Sequence, residues 1–348
     1  MEIGVVKTPI EYKITYVLNG GFNNKNNPHS YTVEDTFSLE TPSRAGYTFA
    51  GWYTDANLTI KLENDSLLGD ITLHAKWGSV VLYTEYSTYV EVTGYNGTDT
   101  TVVIPSSFNG KPVTSIGSSA FEDCSSLTSV TIPDSVTSIG SYAFGYCSSL
   151  TSVTIPDSVT SIGNFAFNSC NSLTSITIGN SVTSIGGFAF NSCNSLTSIT
   201  IGNSVTSIGS SAFNNCDSLT SVNYLGTIEN WCNISFSSSY ANNPLHNGAK
   251  LYLNGELVTE LTIPNTVTEI KDYAFSGCSS LASITIPDSV TSIGSSAFYN
   301  CSSLTIYCEA TSMPSGWSSS WNYSNCPVVW GHTHSYTDGK CICGMKEN

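Results

Sequence analysis

The sequence predicts a mainly β protein with short helical turns, in which a small β-rich domain precedes a solenoid of about eight coils. The first observation is a repeat: residues 113–227 contain five units with a step of 23 residues. The second is that each unit carries one short stretch of alternating polar and apolar residues. The third is a change of composition near Trp77, from charged and aromatic residues to Ser and Thr. A strict repeat of this length indicates one supersecondary unit that is stacked many times.

Residues 13–77 are predicted to form the small domain. Three alternating stretches, 14–21, 41–55 and 71–77, are separated by Gly, Asn and Pro, which is typical of short β-strands joined by turns. The stretch Gly46–Tyr53, Gly-Tyr-Thr-Phe-Ala-Gly-Trp-Tyr, resembles the core of the Listeria–Bacteroides repeat, the B repeat of internalin-type surface proteins. That resemblance implies a compact β-grasp-like spacer on a cell-surface protein.

The two ends of the repeats are predicted to be capped. In residues 80–112, apolar stretches flank Asn96-Gly97 and predict a hairpin, followed by a degenerate first strand. At the other end, Trp317, Trp321 and Trp330 predict a second cap over the last coil. Caps are needed because a stack of repeats otherwise exposes apolar surface at both ends.

Each regular repeat is predicted to contain one strand. In the unit 136–158, Ser152–Ile155 alternates polar and β-branched apolar residues, which predicts that Val153 and Ile155 face inward. Apolar residues at helical spacing within 139–144 predict a short helical or 3₁₀ turn on the opposite side of the coil.

This repeat resembles the leucine-rich repeat, and its run Thr-Ser-Ile-Gly-x-x-Ala-Phe-x-x-Cys is similar to the BspA-type subclass. The run occurs at Thr114–Cys124, Thr137–Cys147, Thr160–Cys170, Thr183–Cys193, Thr206–Cys216 and Thr291–Cys301. In the related run Thr268–Cys278, Lys271 replaces the glycine. The resemblance assigns residues 113–331 to a leucine-rich-repeat solenoid. It implies a surface-exposed bacterial adhesion or recognition protein, and it names no ligand.

A divergent unit, residues 228–266, interrupts the array. It contains Trp231, a loop at Asn242-Asn-Pro244, and Tyr252 in a stretch where Asn254-Gly255 predicts a hairpin. Insertions in repeat arrays frequently lie on the binding face, so Trp231 and Tyr252 are candidate binding residues. A tolerated surface loop is the alternative.

The polar residues of the predicted strands form a second candidate binding surface. Because side chains alternate along a strand, these residues are expected to point outward in two parallel files of hydroxyl groups. Such a face can bind an extended polymer or a flat partner, although hydroxyls that are merely solvated give the same sequence. The candidates are Ser129, Thr131, Ser152, Thr154, Ser175, Thr177, Ser198 and Thr200, and the same alternation places Ser283 and Thr285 outward.

Seven of the twelve cysteines occupy one position of successive coils. A small apolar side chain in a repeated inward position favours buried free thiols. Disulfides between neighbouring coils remain a minor alternative, since adjacent coils are about 4.8 Å apart. Cys232 and His246 are the nearest approach to a nucleophile and base, but the apolar neighbours of Cys232 favour a core position.

The tail, residues 332–348, contains the one cluster with metal-ligand character: His332, His334, Cys341 and Cys343. Two His and two Cys are suitable ligands for a closed zinc site, which makes Zn²⁺ the one cofactor the sequence suggests. Against zinc, C-x-C replaces the usual C-x₂-C. A disordered tail with an oxidisable pair is the alternative.

Charge and composition restrict the partners. The formal net charge is −15, and no Lys or Arg lies between Lys111 and Lys250, which excludes nucleic acid as a partner because phosphate binding needs clustered cations. No membrane insertion is expected, since no stretch approaches the roughly 18 apolar residues of a spanning helix. The first ten residues lack the basic start and apolar centre of a secretory signal, whereas both resemblances imply export. We therefore expect an extracellular or cell-surface protein whose signal or anchor lies outside this chain.

No enzyme is predicted, because no catalytic motif is present and all five histidines lie outside the regular coils. Two functions remain. One is a binding or adhesion module that recognises a protein or glycan on a host or neighbouring cell. The other is a structural stalk or spacer of a larger surface protein. An aromatic or charged cluster on the strand face would favour the first.

Overall fold

The computed structural model describes residues 9–35, 38–44, 47–62, 69–97, 99–237, 243–337 and 340–343. The chain divides into two compact units, Met1–Leu82 and Tyr83–Asn348. The fold is mostly β, as predicted, with almost no helix, and it contains a solenoid of about ten turns where the repeats predict about eight coils.

The first unit contains a small mixed sheet. Its strands are β1 (Tyr12–Val17), β2 (Ser30–Tyr31), β3 (Tyr47–Tyr53) and β4 (Ile71–Ser79). Their order is β2-β1-β4-β3; β1 is parallel to β4, and the other two pairs are antiparallel. Ile14, Tyr31, Trp52, Leu73 and Ala75 form its core. The motif residue Gly46 lies outside the described residues.

The remaining elements, in chain order, are β5 (Val81–Glu85), β6 (Val90–Tyr95), β7 (Thr101–Val103), β8 (Ser107–Phe108), β9 (Lys111–Ile116), β10 (Ser129–Thr131), β11 (Ser138–Ile139), β12 (Ser152–Ile155), β13 (Ser161–Ile162), β14 (Ser175–Ile178), β15 (Ser184–Ile185), β16 (Ser198–Ile201), β17 (Ser207–Ile208) and β18 (Ser221–Tyr224). They continue with α1 (Ile228–Cys232), β19 (Ser235–Phe236), β20 (Lys250–Leu253), β21 (Glu256–Leu257), β22 (Glu260–Thr262), β23 (Glu269–Ile270), β24 (Ser283–Ile286), β25 (Ser292–Ile293), β26 (Thr305–Cys308), β27 (Val328–Trp330), β28 (Tyr336–Thr337) and β29 (Lys340–Cys341).

The regular coils stack through two sheets. The first has the order β21-β20-β18-β16-β14-β12-β10-β7, and neighbouring coils pair in parallel with equivalent residues opposite each other, as in Thr154↔Thr177. The second has the order β19-β17-β15-β13-β11-β9-β6-β5 and includes two-residue strands that the sequence reasoning did not predict. Each repeated Ser-Ile pair is too short to show an alternating pattern by itself.

Inward side chains form continuous columns. Val153 and Ile155 are buried, whereas Ser152 and Thr154 are exposed, which confirms the predicted alternation. Phe144 and Phe167 stack with ring centroids 5.2 Å apart, and equivalent pairs continue on both sides. Burial of such side chains is worth roughly 1.5–3 kcal/mol each, so the stack supplies the core that one coil lacks.

The turns opposite the first sheet are consecutive tight turns. Each regular coil has two residues, four positions apart, in the left-handed region; Tyr142 and Tyr146 are examples, with φ of 56° and 60°. A left-handed residue ends α-helical hydrogen bonding, so the turn does not extend into a helix. Among the described residues, the only α-helix is α1 in the divergent unit.

Each regular coil requires a glycine at one position, because the backbone there lies very close to the preceding coil. A Cβ on Gly163 would lie 2.5 Å from the carbonyl carbon of Gly140 in the preceding coil. Lys271 occupies the equivalent position at the one place where the preceding unit is the divergent one, and its N–H donates to the carbonyl of Cys232 at 3.0 Å. The exception in the sequence therefore marks the break in the regular stack.

The divergent unit ends both sheets, and a new sheet, β22-β24-β26-β27, follows it. The predicted hairpin is confirmed: β20 and β21 pair antiparallel around Asn254-Gly255. The hairpin predicted around Asn96-Gly97 is wrong, because β6 and β7 lie in different sheets. Instead β5 and β6 are neighbours, joined by residues 86–89.

The C-terminal cap is confirmed for two of the three tryptophans. Trp317 and Trp321 are buried, and Trp321 packs edge-on against Phe298, the last ring of the phenylalanine column, at 5.8 Å. Trp330 remains partly exposed and contacts both tryptophans.

Candidate functional site

The strand face consists of the outward side chains of β10, β12, β14, β16, β18 and β20. Ser152, Thr154, Ser175 and Thr177 are exposed, as is Thr131, while Ser129, Ser198 and Thr200 are partly exposed. The register places Ser152↔Ser175↔Ser198 in one file and Thr154↔Thr177↔Thr200 in the other. Both files are uncharged, and a shallow groove of about 440 Å³ runs beside Ser129 and Thr154 at their beginning.

The divergent unit continues the strand face. The threonine file extends through Asn223 to Tyr252, and the serine file extends through Ser221 to Lys250. Tyr252 is partly exposed and Lys250 is exposed. The hydroxyl files of the regular coils and the divergent unit, which the sequence presents as two candidate surfaces, thus form one surface. The ring of Tyr252 and the cation of Lys250 lie at one end of it.

Trp231 does not belong to any surface, so its assignment as a binding residue is wrong. Its side chain is fully buried, and its indole N–H donates to the carbonyl of Ala274 at 2.9 Å. Trp231 therefore joins the divergent unit to the coil that follows. Asn243 does the same through its amide, which donates to the carbonyls of Tyr273 and Ala274. Asn242, in the predicted loop, lies outside the described residues.

Beside the divergent unit lies a second groove, of about 390 Å³. Its lining includes Asn203, Gly226, Thr227, Asn230 and Asn254. Apart from Leu225, this lining is mostly polar and it is uncharged, so the groove offers hydrogen bonds but no ionic selectivity. Sequence reasoning missed it because its residues come from three separate segments.

In the last coils the strand face is covered. Ser283 and Thr285 were expected to point into solvent, but they are 8% and 1% exposed. The C-terminal segment, residues 332–337 and 340–343, lies over this region: the Ser283 hydroxyl donates to the carbonyl of Cys343 at 3.1 Å. On the next strand, the ring of Tyr307 contacts that of His332 at 4.9 Å between centroids.

The four predicted metal ligands come together in this segment. One ligand atom from each of His332, His334, Cys341 and Cys343 lies within 4.8 Å of the others. Cys341 and Cys343 are buried, and the two histidines are partly buried. Burial opposes ionisation of the Cys341 thiol, but hydrogen bonds from Cys343 and His334 outweigh it and lower the pKa of that thiol to about 6.

The cysteines that occupy one position of successive coils, called here the cysteine column, differ from Cys341 in ionisation. They are Cys124, Cys147, Cys170, Cys193, Cys216, Cys278 and Cys301. Their thiols are free, and all except Cys124 are buried, which confirms the predicted core position. Five of the buried thiols donate to a phenylalanine carbonyl of the preceding coil; for Cys170 and Phe144 the distance is 3.2 Å. The Cys278 thiol instead contacts the Ser280 hydroxyl at 3.7 Å. Burial raises the pKa of Cys170 and Cys216 to about 12, so these thiols are poor nucleophiles.

Cys232 and His246 show no sign of activation. Cys232 is fully buried, and burial raises its pKa. Burial lowers the pKa of His246. A catalytic thiol needs the reverse shift, so the core interpretation of Cys232 is confirmed.

A β solenoid with a polar, accessible strand face defines the class of repeat proteins that present an extended surface. The family model for the BspA type Leucine rich repeat region matches residues 114–243 and 248–326 in six copies, which is more than half of the chain. The chain therefore belongs to the BspA-type leucine-rich-repeat family. The model of the Listeria-Bacteroides repeat domain matches residues 12–76, as the first unit's sequence suggested.

Solved structures similar to this chain are bacterial leucine-rich-repeat proteins. One, from T. pallidum, is 29% identical over 65% of this chain and 88% of its own, with a TM-score of 0.44. Another, from Bacteroides ovatus, is 26% identical over 77% of this chain and 71% of its own, with a TM-score of 0.46. A leucine rich cell surface protein from Faecalibacterium prausnitzii is 28% identical over 68% and 76%, with a TM-score of 0.33. A comparison with curated proteins gives no match.

Proteins of this family share several general properties. Leucine-rich repeats are generally protein-interaction modules, and proteins of the BspA type are generally surface or extracellular proteins. They are typically not enzymes. In the described part of the chain, no helix has both the length and the apolar character needed to cross a bilayer.

Proposed function

We propose that this protein is an extracellular binding or adhesion module whose strand face recognises a protein or glycan on a host or neighbouring cell. The observation that carries the proposal is the position of Tyr252 and Lys250 at the end of the two hydroxyl files. An uncharged face of hydroxyls alone also suits a spacer. Tyrosine is enriched at binding surfaces and among the residues that carry their binding energy, and the neighbouring ammonium group of Lys250 can donate hydrogen bonds.

The chemistry of the face favours a flat or extended partner. Equivalent residues face each other from coil to coil, so donors and acceptors repeat at the strand spacing of about 4.8 Å. Leu257, opposite Tyr252 in the hairpin, is 42% exposed and adds apolar surface beside the ring. A sugar ring or an apolar side chain can pack against this end while polar groups meet the files.

The test uses a triple variant, Thr154→Lys with Thr177→Lys and Thr200→Lys, and attachment of labelled protein to cultured epithelial cells and to a glycan array. The three positions are exposed or partly exposed, so each change should cost less than about 0.5 kcal/mol of stability. We expect attachment to fall at least tenfold, roughly the loss of one hot-spot contact, because long charged side chains fill the threonine file.

The matched control is Ser148→Lys with Asn171→Lys and Asn194→Lys. These residues are exposed or partly exposed in turns of the same three coils, so the control adds the same charge away from the strand face. Full attachment of the control and loss in the strand-face variant support the proposal. Unchanged attachment of both variants would overturn it.

The variant Tyr252→Ala tests which end of the strand face carries recognition. If attachment depends on Tyr252 and not on the threonine file, the divergent unit carries recognition. If the wild-type protein attaches to neither cells nor glycans, the spacer function is supported instead. A deletion of residues 231–253 is unsuitable for this purpose, because it removes the buried Trp231, Cys232 and Leu251.

A further inference from the structure

The tail cluster has the dimensions of a tetrahedral zinc site. Cys341 Sγ lies 3.3 Å from His332 Nε2, and Cys343 Sγ lies 3.4 Å from His334 Nδ1. Zinc bonds of about 2.3 Å to sulfur and about 2.0–2.1 Å to nitrogen give S–N separations of about 3.6 Å in a tetrahedron. All four ligand atoms lie within 4.8 Å of one another, which leaves room for one ion and no larger group.

The pairing of β28 with β29 brings the two halves of the cluster together. The two strands are antiparallel with Tyr336 opposite Cys341, so the chain reverses between the histidine pair and the cysteine pair. The ladder ends at Cys341; Ile342 and Cys343 lie in a turn, with Cys343 Sγ 3.4 Å from His334 Nδ1. The H-x-H and C-x-C spacings thereby bring four ligand atoms within 4.8 Å of one another, although C-x₂-C is the usual spacing of cysteines at zinc.

Outer contacts orient one of the histidine ligands. His334 presents Nδ1 to Cys343, while its other ring nitrogen, Nε2, lies 3.3 Å from a carboxylate oxygen of Glu309. A histidine that donates its second N–H to a carboxylate is the common arrangement around protein-bound zinc, because it fixes the ring and its tautomer. Glu309 directly follows β26, so the solenoid supplies this contact to the tail.

We propose that His332, His334, Cys341 and Cys343 bind one structural Zn²⁺ that fastens the C-terminal segment onto the outer face of β24 and β26. Four protein ligands close the coordination sphere, so the ion has no open position for catalysis. Two thiolates and two neutral imidazoles balance the ion's charge, and any proton still held by a ligand thiol is released to solvent on binding.

The site acts on the strand face as well as on the tail. Around it, the carbonyl of Cys343 accepts from Ser283, and His332 and His334 contact Tyr307 and Glu309. All three solenoid residues lie on the outward side of the last coils. The metal thus protects that end of the solenoid, whereas the outward residues from β10 to β20 remain accessible. This inference does not depend on the proposed function.

The experiment removes metal from the 348-residue chain with a chelator under reducing conditions and titrates the chain with Zn²⁺. We expect one equivalent per chain. Co²⁺ in place of Zn²⁺ should give the visible spectrum of a tetrahedral thiolate complex. A wild-type protein that retains no zinc, that gives no thiolate band with cobalt, or that holds a disulfide between Cys341 and Cys343 would overturn the proposal without any variant.

Variants locate the site. The variants Cys341→Ser and His332→Ala should each fail to bind the one equivalent of zinc. Glu309→Gln should bind zinc roughly 10- to 100-fold more weakly, because it no longer orients His334. Cys124→Ser is the control, since Cys124 is a partly exposed thiol at the far end of the solenoid, and it should keep the full equivalent. Retention of zinc by Cys341→Ser would show that the ion lies elsewhere.

Proteolysis tests whether zinc holds the C-terminal segment on the solenoid. Lys340 lies within the hairpin, so trypsin should cut there at least tenfold faster after removal of zinc. Equal rates with and without bound zinc would contradict the structural role.

Discussion

The tetrapeptide Ser-Ile-Thr-Ile occurs three times, and two of the copies, Ser175–Ile178 in the regular coils and Ser283–Ile286 in the last coils, have different surroundings. In both, the isoleucines are buried in the solenoid core. In the first, Ser175 and Thr177 are exposed; in the second, the equivalent residues are buried. Local sequence therefore sets the strand and its inward face, while a distant segment decides whether the outer face meets solvent.

The cysteines of the two regions differ in the same way. Burial in the regular coils raises the pKa of Cys170 to about 12, whereas hydrogen bonds in the tail lower the pKa of Cys341 to about 6 despite burial. One residue type serves as an inert core side chain in one region and as a group with ligand character in the other. The difference comes from polar neighbours rather than from exposure.

Truncation of an inward isoleucine should lower the free energy of unfolding more than the other changes, and by the same amount in both copies. Ile176→Ala and Ile284→Ala each remove a side chain that is at most 2% exposed, so each should lower the free energy of unfolding by about 3 kcal/mol. Denaturant unfolding followed by circular dichroism measures both. A difference above about 1 kcal/mol would mean that the two cores are not equivalent.

A charge introduced on the outer face should have different effects in the two copies of the tetrapeptide. Thr177→Lys is expected to change stability by less than about 0.5 kcal/mol. Thr285→Lys places a charge at a position that is 1% exposed and should displace the C-terminal segment instead. Alkylation of Cys343, which is buried in the native chain, measures the displacement. Equal alkylation rates in the two variants would show that the tail does not cover Thr285.

Replacing the hydroxyl by a methyl group gives the smallest effect. Within the described residues, the Thr285 hydroxyl is buried without a hydrogen-bond partner, which carries a desolvation cost. Thr285→Val should therefore raise stability by about 1 kcal/mol. Thr177→Val, on the exposed copy, should have almost no effect. Thermal unfolding compares them, and a destabilised Thr285→Val variant would indicate a hydrogen bond to solvent or to the tail.

Much of the fold could be predicted from the sequence because its period is strict. The strands, the inward position of Val153 and Ile155, the buried cysteine column and the hairpin at Asn254-Gly255 all follow from local patterns. The second sheet could not be predicted, since its two-residue strands carry no alternation. The buried position of Trp231 cannot be predicted either, because a tryptophan in an irregular unit has no periodic neighbours to place it.

The sequence by itself determined the repeat, the coil spacing and the direction of each strand side chain, because these depend on contacts between identical neighbouring coils. Only the tertiary structure decided which parts of the outer face are accessible. It placed Tyr252 in the file of Thr177 and Thr200, across an interruption of the repeat, and it covered Ser283 with a segment about 50 residues further along the chain. Such contacts join segments of unlike sequence, so no periodic pattern records them.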